Sequence, residues 1–144
     1  MEKKPKTETK KKKKINSREK GARFERDLAK KLRSYGFEAE RGCQHAGGKD
    51  SPDIKSNMAG IHIEAKNTEH LNVWSALEQS KRDAGEDEVP VVMFKRNRSD
   101  IYVTMPLDDF VDFYKAWIRE KTDAKFQRLQ GHGEVPQKSE PMEE

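Results

Sequence analysis

Cysteine is almost absent: Cys43 stands alone in 144 residues. A single thiol excludes an intrachain disulfide and any zinc site built from a cysteine cluster, and it fits a reducing compartment. Long apolar runs are missing too. No stretch approaches the roughly 18 apolar residues of a membrane span, so no transmembrane helix and no membrane partner are expected. The first residues also lack the apolar core of a secretory leader, and a cytoplasmic setting is the expectation. Apolar residues make up only 32% of the chain against 39% charged, so a folded domain must gather them in one part of it. A chain of this length accommodates one domain with a core more readily than two.

What is abundant is charge, and it is unevenly placed. Met1 to Lys14 holds eight lysines and two glutamates, a basic arm expected to be disordered over residues 1–15. Gly131 to Glu144 carries four glutamates, one lysine and two prolines and is expected to be disordered as well. The foldable part is therefore residues 16–121, followed by a charged helical extension and tail over 122–144.

Within that part, Phe24, Leu28, Leu32 and Tyr35 recur at helical spacing. Asn16 with Glu19 predicts a capping box at the start, and Gly36 a stop at the end. Phe37 to Arg41 alternates like a half-buried strand. A Gly-rich loop, Gly42 to Ser51, leads to a hairpin made of Asp53 to Ser56 and Ile61 to Lys66 around a Met58-Ala59-Gly60 turn. Val73 to Asp83 predicts a second helix, capped by Asn72, ended by Gly85 and resting on Val73, Leu77 and either Trp74 or Ala76. Val89 to Lys95 and Ile101 to Met105 form a second hairpin pattern. From Pro106, Leu107, Phe110, Val111, Tyr114 and Trp117 or Ile118 fall at helical spacing, with Asp108 and Asp109 in the first turn. That helix is expected to fray past Arg119 toward Leu129. The order α-β-β-β-α-β-β-α describes an α/β domain with a mixed five-stranded sheet flanked by helices.

The chemistry is concentrated in the first hairpin. A period of two places His62, Glu64 and Lys66 on one side of their strand and Ile61, Ile63 and Ala65 on the other. Asp53 and Glu64 on adjacent strands can supply hard oxygen ligands to a divalent metal, and the Ala65 carbonyl a third. Lys66 stands where it can orient or deprotonate water, or offset charge on a pentacovalent phosphorus. Alone, the triplet is common and reads more readily as a solvated ion pair on a surface hairpin. His62, His70 and His132 lack metal-ligand spacing.

Basic residues surround this hairpin in sequence. Lys10, Lys11, Lys12, Lys13 and Lys14 suit a DNA-binding arm that releases counterions from phosphates, or else a solubilising or localisation segment. Arg18, Lys20 and Arg23 carry the same charge into the first helix. His45 and Lys49 in the Gly-rich loop can contact phosphate, although a plain connector has the same composition.

Together, Lys20-Gly21-Ala22-Arg23-Phe24-Glu25-Arg26-Asp27-Leu28, Ser51-Pro52-Asp53-Ile54, Ile63-Glu64-Ala65-Lys66 and Glu78-Gln79 resemble the PD-(D/E)XK nuclease superfamily, and within it the archaeal-type Holliday junction resolvases and their phage relatives. The resemblance spans about Ser17 to Trp117. It implies a restriction-endonuclease-like domain and a metal-dependent DNA endonuclease that cuts four-way junctions as a homodimer, in the host cytoplasm if phage-encoded. Asp53, Glu64 and the Ala65 carbonyl would hold Mg2+, with Mn2+ able to substitute. Lys66 would assist the attacking water, Glu25 would reach the metal directly or through water, and Gln79 would face the same site. Tyr114 and Trp117 read as interface or as core residues. The same superfamily also acts on duplex, nicked, flap and single-stranded DNA, and a protein that binds DNA without cutting it is the reading from outside enzymes. Two carboxylates beside a polyanion argue against that one, since they repel phosphate unless a cation lies between them.

Overall fold

Asn16 opens the first helix, its side-chain oxygen accepting from the Arg18 N–H at 3.1 Å. The computed structural model describes residues 16–42 and 51–130. The arm with Lys10 to Lys14, the loop residues His45 and Lys49, and the tail from 131 lie outside the described residues.

Helix α1 is Ser17–Ser34 and ends as Gly36 predicts. Gly36 adopts φ +94°, its N–H bonds the Arg33 carbonyl and the Phe37 N–H bonds that of Leu32, a Schellman turn. This turn consumes Phe37, so strand β1 is only Ala39–Arg41 rather than beginning at Phe37. At the other end only half of the expected capping box forms, because the Glu19 carboxylate accepts from Arg26 at 2.9 Å. The guanidinium offers Glu19 a stronger, charge-assisted bond than the cap N–H does.

Strands β2, Ile54–Ser56, and β3, Ile61–Asn67, form the expected antiparallel hairpin, with Ile54 opposite Ile63 and Gly60 turning at φ +78°. Strand β3 then crosses through helix α2, Val73–Asp83, into β4, Val89–Lys95, which runs parallel to it. Strand β5, Tyr102–Thr104, returns antiparallel on β4. The sheet order is β1-β2-β3-β4-β5, the five-stranded mixed α/β arrangement of a restriction-endonuclease-like fold.

The two faces of β3 meet different helices. Ile63 and Ala65 cluster with Phe24, Leu28 and Leu32 of α1, whereas Glu64 and Lys66 reach Gln79 of α2. Leu28 is 2% exposed, so its truncation to alanine costs about 2–5 kcal/mol through lost contacts and the cavity left behind. Helix α2 rests on Ala76 and Ser80, with Val73 and Leu77 half-buried, while Trp74 is 82% exposed. Small residues let α2 approach the sheet more closely than an indole would, and the Ser80 hydroxyl donates to the Val91 carbonyl of β4 at 3.5 Å.

The chain divides into two compact units at Met105 and Pro106. The second contains helix α3, Leu107–Gln130, which runs as one helix through the segment expected to fray. Along it Phe110, Tyr114 and Trp117 form successive ring contacts with centroids 6.5 and 5.8 Å apart, and the Lys121 ammonium lies over the Trp117 ring. No residue of α3 is buried. No helix among the described residues is long and apolar enough to cross a membrane.

Candidate active site

Asp53 is held through its backbone on both sides. Its N–H donates to the Ile63 carbonyl at 3.1 Å, and its carbonyl accepts from Gly42 at 2.8 Å. Gly42 is required here: a Cβ would fall 2.1 Å from the Pro52 oxygen. So anchored, the Asp53 side chain receives the Ala65 N–H on Oδ2 at 2.9 Å, and Oδ1 has no such donor among the described residues.

Glu64 lies two residues along β3 from Lys66 and is 3% exposed. Its Oε1 accepts from Lys66 Nζ at 2.7 Å and from Gln79 Nε2 at 2.6 Å. Gln79 also accepts from Lys66 at 3.0 Å. The amide therefore closes a three-membered ring of hydrogen bonds that fixes the ammonium and leaves Oε2 of Glu64 for a further partner. The sequence order of Asp53, Glu64, Lys66 and Gln79 has become a single cavity of about 380 Å³, lined also by Arg18, Gly21, Glu25, Ala65 and Asn67.

Glu25 is buried, at 6% exposure, rather than solvated as a glutamate in a charged helix usually is. Its carboxylate accepts from Arg41 Nε on β1. That bond raises the Arg41 pKa above its ordinary value, with burial opposing. Arg41 was not legible as part of the site. Its alternation with buried Ala39 was the only available signal, because its partner is 16 residues away.

Burial pushes Asp53 up to about 6, helped by the charge of Glu64 and a hydrogen bond with its carboxyl; the Ala65 N–H and Lys66 pull the other way. Two carboxylates this close, with only one ammonium between them, make a hard-oxygen donor set short of positive charge. A small divalent cation fits that deficit. Among the described residues no three His, Cys, Asp or Glu side chains converge closely enough to hold a metal by themselves, so the available ligands are Asp53, Glu64 and the main chain at Ala65. Glu25 shares the cavity with its carboxylate bonded to Arg41.

Lys20 and Arg23 turn to a neighbouring concavity, while Arg18 stays on the wall of the cavity that holds Asp53 and Glu64. The stretch that carries the Pro-Asp, the E-x-K triplet and the acid of helix one is matched by one family model, that of phage PDDEXK endonucleases, over residues 16–139. The chain belongs to the phage PDDEXK endonuclease family. This PDDEXK chain is also similar to Hjc, a Holliday junction resolvase of the archaeal hyperthermophile Archaeoglobus fulgidus, with 25% identity over 59% of this chain and 76% of that one and a TM-score of 0.44. No curated protein matches it.

Proposed function

We propose that this PDDEXK nuclease hydrolyses DNA phosphodiester bonds with Mg2+, which Mn2+ can replace, and that four-way junctions are its preferred substrate. The observation that carries the metal-dependent reading is the pairing of the Asp53 and Glu64 carboxylates in one cavity, with Asp53 raised to about 6 by burial and then by the charge of Glu64. Mg2+ held by Asp53, Glu64 and the Ala65 carbonyl would supply Lewis-acid activation and charge neutralisation at the scissile phosphate.

The protein's own residues would do the rest. Lys66, fixed by Glu64 and Gln79, would orient the attacking water and offset charge growing on the phosphate oxygens. Gln79 would hold Lys66 at that position. Glu25 would act on the site through water, its carboxylate held in place by Arg41. Arg18, Lys20 and Arg23, with Lys10 to Lys14, His45 and Lys49, would attract the DNA backbone and carry no sequence information.

Junction preference and a homodimer are proposed from the resemblance of the helix-one, Pro-Asp and E-x-K residues to resolvases. A twofold pair of sites suits a junction cut on two strands, and Tyr114 and Trp117 are proposed at its interface. Host cytoplasm is the proposed setting. The test is cleavage of labelled four-way junction, duplex, nicked, flap and single-stranded DNA with Mg2+, alongside Asp53→Asn and Lys66→Ala and a sedimentation measurement of mass. Cleavage of junctions first, lost in both variants, supports the proposal. Tight DNA binding without any cleavage would leave a non-catalytic binding protein, and equal cleavage of linear duplex would remove the junction preference.

A further inference from the structure

Beside the catalytic cavity lies a second concavity of about 500 Å³, lined by Lys20, Arg23, Lys95, Asn97 and Arg98 around the first turns of α1 and the end of β4. Asn67 lines both cavities and joins them. Its side-chain oxygen is buried without a hydrogen-bond partner.

The charge here is arranged for an anion. Glu19 and Asp27 also line the concavity, but Glu19 is neutralised by Arg26. Lys20 lies 3.7 Å from Glu69. Among the described residues, Arg23, Lys95 and Arg98 have no carboxylate partner in an ion pair. Three cations at a concave surface with one unpaired carboxylate, that of Asp27, leave a net positive potential facing solvent.

The loop that presents Arg98 is built rather than slack. The Ser99 hydroxyl accepts from the Arg96 N–H at 3.1 Å, and the Asn97 N–H donates to the Glu69 carboxylate at 2.8 Å. Arg98 itself sits at φ +56°, the only described residue other than glycine at positive φ. A glycine would adopt that backbone without strain, so the fold accepts strain at a position that carries a guanidinium at the rim.

We infer that this concavity holds a backbone phosphate of the bound DNA strand, flanking the bond cut in the adjoining cavity, with Lys95 and Arg98 as its principal cations. The inference rests on the nuclease reading of the first cavity. It assigns a role to the β4–β5 loop, which that reading leaves unused, and it makes the strand run from the catalytic carboxylates past Asn67 to this loop. A guanidinium and an ammonium that neutralise a phosphate raise affinity and its salt dependence, and contribute nothing to base readout.

The test uses the full chain with Lys95→Ala/Arg98→Ala and, separately, Arg98→Gly, which relieves the backbone while removing the cation. Binding is measured against salt concentration without divalent metal, and cleavage with Mg2+. The double variant is expected to weaken binding about tenfold or more and to lower the salt slope by about 2, raising KM with kcat kept. Arg98→Gly should be at least as stable as wild type and still lose about one unit of slope. DNA carrying one neutral methylphosphonate linkage at a time should reproduce the loss at a single flanking linkage in wild type and have no effect there in the double variant. Unchanged affinity and slope in the double variant, beside a wild type that cleaves DNA, would overturn this subsite and leave the nuclease reading intact. Loss of slope in a protein that cuts no DNA would keep the subsite and sink that reading, and absence of any nucleic-acid binding would sink both.

Discussion

Arg41 on β1 donates its Nε proton to the buried carboxylate of Glu25 on α1, tying the short first strand to the first helix at the edge of the catalytic cavity. The Glu25 side chain is 7% exposed and that of Arg41 32%, so the pair is neither a screened surface bridge nor a fully buried one.

Removing one member is therefore worse than removing both. Arg41→Ala leaves an unpaired buried carboxylate and should lower stability by about 1–3 kcal/mol in urea titration. Glu25→Gln in the same chain should restore most of it. A double variant no more stable than Arg41→Ala would show that Arg41 acts through packing of its stem instead.

Asp53 gives a pH signature with a definite sign. Its folded-state pKa is raised from the ordinary 3.8 to about 6, so the folded protein holds a proton that the unfolded chain has released across that window. Metal-free stability should then fall as pH rises from about 4 to about 6 and stay low above it. Asp53→Asn should be more stable than wild type at pH 8 and lack that slope. Added Mg2+ should raise the wild-type melting temperature at pH 8 and leave the variant unmoved. Cleavage at low Mg2+ should climb with pH through about 6. A wild-type stability flat from pH 4 to pH 8 would contradict this.

Gln79 fixes Lys66 rather than acting in its place. Gln79→Ala should reduce kcat about tenfold, equivalent to about 1.4 kcal/mol of barrier, with KM preserved. Lys66→Ala should lose far more, and adding Gln79→Ala to it should cost little further, since the amide then has no ammonium to hold. Additive losses would indicate that Gln79 contacts substrate independently.

Gly21 sits inside α1 yet lines the cavity of Asp53 and Glu64, and apart from the nearby backbone of its own helix a Cβ there meets no atom of the described residues within 4 Å. Gly21→Ala should therefore stabilise the metal-free protein by up to about 1 kcal/mol. If DNA approaches the helix backbone at this point, the same methyl should raise KM. A variant both more stable and fully active would show that the space is not used.

Local patterns made much of this molecule legible. Asn16, Asn72 and Gly36 bound their helices because capping and positive-φ turns depend on neighbours only. The E-x-K alternation placed Glu64 and Lys66 on one side of β3 because strand geometry is fixed at a period of two. Long-range partnerships were not legible. Nothing near Glu25 announced Arg41, and nothing in the spacing of α2 decided that Ala76 and Ser80, not Trp74, would face the sheet. The expected capping box failed on a contest between two donors for Glu19, one of them about two turns beyond the motif.

The bond between Gly42 and Asp53 closes a loop at its base. Because Asp53 is bonded through its backbone to Gly42 on one side and to Ile63 on the other, its placement beside β3 belongs to the main chain and does not depend on its side chain. An exchange of the Asp53 side chain can therefore change what this position does while the backbone that carries it stays in place.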